Sequence, residues 1–115
     1  MEPVTVLVIE DSAAEATLLR TALARCEVRV VEPAGGRAVP IALAIAGSKA
    51  LAQSPAELVK TVEKGVPIVG VVAGLSQKAR KRALAAGVRE IHERPREWRP
   101  YSELIASLVE RFVRT

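Results

Sequence analysis

Apolar residues in this chain fall into short unbroken runs, separated by stretches in which they recur every three or four positions. Val4-Thr5-Val6-Leu7-Val8-Ile9 is continuous rather than alternating, which predicts a strand buried on both faces of a parallel sheet. It runs into the acidic pair Glu10-Asp11 and then into Ser12-x-x-Glu15, a capping box that opens a helix with Leu18, Leu19, Ala22 and Leu23 as its buried stripe. A second strand is predicted over Val28 to Glu32, ended by the break Pro33-Ala34-Gly35-Gly36, and a third over Val39 to Ala46, with Pro40 tolerated only near its start. Residues 47 to 53 read as a loop. A second capping box, Ser54-Pro55-x-Glu57, opens a helix that ends at Gly65, and strand four follows over Val66 to Ala73. Helix four is expected from Ser76 to about Ala86, with Gly87 as its terminator, and strand five from Val88 to about Glu93. A last helix from near Pro100 would bury Leu104, Ile105, Leu108, Val109 and Phe112.

Strands alternating with helices imply a doubly wound α/β domain with a five-stranded parallel sheet over residues 1–115. Ligands in such folds collect at the carboxyl ends of the strands, where Glu10 and Asp11 lie. One interval is irregular. About six residues separate strands two and three, too few for a crossover helix, so the helix expected there is shortened or missing. Extended, they span about 20 Å, enough for a parallel return; a hairpin turning at Gly35-Gly36 is the alternative. Without that helix, one face of strands one and two needs another cover, and self-association as a homodimer is one way to supply it.

Composition narrows the function. One Cys excludes a disulfide framework and a cysteine zinc cluster, and no run approaches a membrane span, so a cytoplasmic location is expected. One each of Phe, Trp and Tyr leaves no stacking platform for single-stranded nucleic acid. The net charge of +4 is concentrated: residues 77–99 carry eight basic and three acidic groups, while the rest of the chain is nearly balanced. Lys78, Arg80, Lys81 and Arg82 lie on helix four, with Arg96 and Arg99 beyond it. Such a run is usually a solvated face. Here it also suits an acidic protein partner better than nucleic acid, for which no reading helix is visible.

VLVIEDS at the end of the first strand, VPIVGVVAG at strand four, ALAAGV at the following helix and turn, and HERP at the end of strand five together resemble the CheY-like receiver domain of bacterial two-component response regulators. The resemblance covers essentially the whole chain and implies strand order 2-1-3-4-5. It also implies a phosphoacceptor Asp after strand three, a Ser or Thr after strand four, an aromatic switch on strand five, a Lys before Pro, and a partner surface around helix four and strand five. By register these positions hold Ala46, Val72, Ile91 and Arg94; only the acidic pair Glu10-Asp11 is retained. A methyl group is no nucleophile, and a hard Mg²⁺ ion usually needs more carboxylate than two adjacent residues supply. The expectation is therefore a degenerate pseudo-receiver with no cofactor and no catalytic residue, in which Glu10-Asp11 is a helix N-terminal anion pair and only a weak metal candidate. Arg94 is expected either in solvent or paired with Glu10 or Asp11. Ser48-Lys49 lacks the glycines of a phosphate-binding loop, and His92 is expected to be solvated on an edge strand.

Overall fold

In the computed structural model, residues 4–33 and 40–113 are described. The five strands are β1 (Thr5–Ile9), β2 (Arg29–Val31), β3 (Leu43–Ala46), β4 (Ile68–Val72) and β5 (Glu90–Glu93). They form one sheet in the order β2-β1-β3-β4-β5, every neighbouring pair parallel. The parallel return therefore holds and the hairpin does not: β1 lies between β2 and β3, pairing Leu7 with Val31 on one side and Ala44 on the other. Residues 34 to 39, including Gly35-Gly36, fall outside the described residues.

Helices α1 (Ala13–Ala24) and α5 (Trp98–Phe112) share one face of the sheet; α2 (Ser48–Gln53), α3 (Pro55–Thr61) and α4 (Gln77–Ala86) share the other. Period-two alternation divides the core accordingly. Val6, Val8, Leu43, Ile45, Val69 and Val71 meet Leu19, Leu23, Ile105 and Leu108. On the opposite face Ala44, Ala46, Ile68 and Val72 meet Leu51, Leu58 and Ala83. No helix lies between β2 and β3 among the described residues, and on that face Leu7, Ile9 and Val31 remain only half-buried.

Several boundaries differ from expectation. β3 begins at Leu43 rather than Val39 because Pro40 has no N–H to give the ladder, which starts with Ala42 N–H donating to Thr5 O at 2.9 Å. The expected loop 47–53 contains α2, a turn and a half of good helix formers whose Leu51 is fully buried. Leu51 packs over Gly70 of β4, where a Cβ would lie 2.5 Å from Leu51 Cδ1. α3 stops at Thr61, short of Gly65, because the chain becomes extended at Val62 and buries that side chain. α5 starts at Trp98, with Pro100 in its first turn, where a missing N–H costs nothing. No helix among the described residues is long and apolar enough to cross a membrane.

Candidate functional site

The Ser12 capping interaction is half of the expected box. Ser12 Oγ accepts from Glu15 N–H at 3.3 Å, but the Glu15 carboxylate does not return to Ser12; the Ser12 N–H donates to Glu10 Oε1 at 3.1 Å. Glu15 turns instead to Arg94, whose Nε lies 2.7 Å from Glu15 Oε1. That Nε is buried, and its N–H does not point at the oxygen, so the contact is an ion pair rather than an in-line hydrogen bond. Arg94 is thus neither solvated nor paired with Glu10 or Asp11, as the sequence suggested. It ties α1 to the end of β5, where its N–H donates to Val72 O at 2.7 Å. Buried beside this pair is Tyr101 of α5, whose hydroxyl pKa is pushed up by burial and then by the Glu15 charge.

At the carboxyl ends of β1, β3 and β4 lies a cleft of about 380 Å³ lined by Glu10, Asp11, Ser12, Glu15, Ser48, Lys49, Val71 and Ala73. Ser48 Oγ accepts from Ala73 N–H at 2.8 Å, fixing the start of α2 against the turn after β4. Half-burial raises the Glu10 pKa above its ordinary value of 4.5; the hydrogen bond from Ser12 N–H opposes the shift, while the charges of Glu15 and Asp11 add to it.

Two expected cleft residues lie elsewhere. Ala46 is fully buried, with its methyl group in the core beneath α2 and α3, because it alternates in phase with Ala44. The position that opens onto the acidic cluster is the next one, Gly47. A Cβ built there would lie 1.7 Å from Glu10 Oε2 and 2.3 Å from Glu10 Cδ. Val72 is likewise turned into the α2–α4 core, and the half-buried Ile91 packs against the same cluster. Glu15, which lines the cleft, and Gly47, which lies under the Glu10 carboxylate, are thus site residues that sequence reasoning missed. The signal for Glu15 was absorbed by its capping-box spacing, and Gly47 was lost to a one-residue difference in phase.

The cleft does not fit a hard dication. Position 47 has no carboxylate and the Arg94 guanidinium takes Glu15, which leaves Glu10 and Asp11, fewer carboxylates than such an ion usually draws on. Among the described residues no group of three metal-ligating side chains comes together.

On the basic segment, Lys78, Lys81, Arg82, Arg96 and Arg99 are exposed. Arg80 is drawn inward: its guanidinium bonds Glu93 Oε2 at 3.1 Å and the Ile91 carbonyl at 3.4 Å, while Glu93 Oε1 accepts from Gly74 N–H at 2.6 Å. His92 is not freely solvated either. It is half-buried, its Nε2 2.6 Å from Glu90 Oε1, and Glu90 also binds Arg111 of α5. The Arg111 hydrogen bond, ahead of the one from His92, holds the Glu90 carboxyl below its ordinary pKa.

No family model matches the chain, and no curated protein does. Solved structures do. The phosphorylated cyanobacterial phytochrome response regulator RcpA superposes with a TM-score of 0.76 at 14% identity, over 97% of this chain and 95% of that one. A chemotaxis protein CheY4 of Vibrio cholerae gives 0.75 at 14% identity, over 97% of this chain and 100% of its own. A response regulator from Hahella chejuensis gives 0.73 at 20% identity, over 96% and 95%. These likenesses, with the strand order and the all-parallel sheet, establish the fold as that of CheY-like receiver domains.

Proposed function

We propose that this chain is a non-enzymatic, receiver-like signalling module that works by contact with another protein and is not phosphorylated in its carboxyl-end cleft. The observation that carries the proposal is the pairing of Gly47 with Glu10. The position facing the acids, immediately after strand three, has no side chain, and Glu10's carboxylate fills the direction in which one would project. An acyl phosphate needs a carboxylate nucleophile beside the ion that neutralises the incoming phosphoryl group. Neither Ala46 nor Gly47 supplies the first, and the pairing of Glu15 with Arg94 removes a ligand for the second. Asp11 is the sole Asp of the chain, so it is the one remaining aspartyl acceptor.

Support for a protein partner comes from the exposed cations Lys78, Lys81, Arg82, Arg96 and Arg99, which favour an acidic surface. Incubation with acetyl phosphate and Mg²⁺, followed by intact-mass measurement, tests the first part. No added phosphoryl group is expected, and stoichiometric addition that disappears in Asp11→Asn would overturn it. Pull-down from a native cell extract tests the second, with capture expected to be lost in Lys81→Glu/Arg82→Glu. Capture unchanged by that charge reversal would move the partner surface elsewhere.

A further inference from the structure

The amino-terminal ends of β4 and β5 carry a second concavity, at the opposite end of the sheet from the acidic cleft and opposite to it in charge. Its volume is about 500 Å³, within the ~300–1,000 Å³ usual for small-molecule sites. Half-buried Val59, Val66 and Pro67 contribute its apolar surface, with Ile68 buried beneath. Exposed Lys60, Lys64 and Arg89 stand around it, opposed by Glu63 alone. Neither lysine makes an ion pair among the described residues. The Arg89 guanidinium is drawn towards Phe112 of α5, 6.0 Å from the ring centroid and on the other face of the sheet, so the two lysines are the cations left for a ligand in the groove.

We propose that this groove binds a small organic anion with an apolar body, the acidic group lying between Lys60 and Lys64 and the body lying on Val59, Val66 and Pro67. α3 and α4 both end here, and free helix C-terminal carbonyls would repel an anion. Some of the last-turn carbonyls are already engaged. Leu58 O accepts from both Val62 N–H and Thr61 Oγ1, and Ala83 O and Leu84 O accept from Gly87 N–H, with Val88 N–H also on Ala83 O. What remains is an excess of positive charge over an apolar floor. Gly65 and Gly87, at φ +95° and +123°, add no side chain that would close it. The proposal is independent of the phosphorylation state of the cleft at the other end.

Anilinonaphthalene sulfonate, which joins a sulfonate to an apolar body, is a direct probe, followed by amide NMR on the full chain. Shifts confined to residues 59–68 and 87–89 and saturating below about 1 mM are expected. Lys60→Glu/Lys64→Glu alters exposed side chains only and should weaken binding by about tenfold or more, whereas Lys78→Glu/Lys81→Glu should change it less than about twofold. The uncharged analogue phenylnaphthylamine should bind more weakly than the sulfonate. Shifts spread over the whole chain, shifts at the acidic cleft, or equal affinity in the reversed and unaltered proteins would each overturn the assignment.

Discussion

The Glu10 carboxylate stands over the α-carbon of Gly47, at the place where any other residue would carry its Cβ. Gly47 itself has φ −90° and ψ −179°, an extended conformation open to every residue, so the glycine is explained by crowding and not by backbone geometry. What would have to move for a larger residue is the end of a flexible side chain, which can swing towards solvent.

Gly47→Ala is therefore expected to fold with a stability loss of at most about 1 kcal/mol. Displaced from its half-buried seat, Glu10 should titrate nearer to an ordinary carboxyl. Side-chain carboxyl NMR titration of the two proteins checks this, and an unchanged Glu10 midpoint would mean that the carboxylate does not occupy that position.

Glu10→Gln should stabilise the domain at neutral pH. A carboxyl whose folded pKa is raised binds its proton more tightly in the native state, so stability falls as pH rises from the unfolded value of 4.5 through the folded pKa and stays lower above it. Glutamine keeps an oxygen for Ser12 N–H and removes the partly desolvated charge. A higher thermal midpoint at pH 7, with the difference shrinking towards pH 4, is the expected result of paired melting curves.

Glu90 behaves in the opposite sense. Arg111 and His92 lower its pKa, so its contribution is present above the unfolded value of 4.5 and is lost as pH falls through the lower folded pKa. Glu90→Gln should reduce stability at pH 7 and flatten the acid limb of the stability curve below about pH 4.5. Urea unfolding from pH 2 to 7 measures both, and an acid limb as steep as in the unaltered protein would assign it to other carboxylates.

Gly70 receives Leu51 at the centre of the face shared by α2, α3 and α4. Unlike Glu10, Leu51 is fully buried and has no space to retreat into. Gly70→Ala should cost about 1–3 kcal/mol through overpacking, and Leu51→Ala about 2–5 kcal/mol through the cavity it leaves. Because the two sites touch, the double variant should cost less than the separate losses added together. Additive losses in denaturant titrations would show that the contact is not made.

Order and type of most elements were legible in the chain, because continuous apolar runs such as Val66 to Ala73 and helical stripes such as Leu104-Ile105-Leu108 are local patterns with local causes, whereas the choice between a parallel return and a hairpin after β2 was made only by the packed sheet. α2 was not legible: Ser48–Gln53 has good helix formers but no capping hydrogen bond at Gly47 and is too short to show a period. His92 was read as solvated because its neighbour Glu90 and the distant Arg111 meet only after β5 and α5 pack.

By itself the sequence determined a receiver-type scaffold with Glu10-Asp11 at the carboxyl end of its first strand. Tertiary structure alone decided that Gly47 rather than Ala46 faces those acids, since side chains alternate along a strand and one residue of phase exchanges cleft for core. It decided also that Arg94 goes to Glu15. Ion pairs are chosen by distance across packed elements, and that distance is fixed only when α1 and α5 pack side by side and the sheet brings the end of β5 within reach.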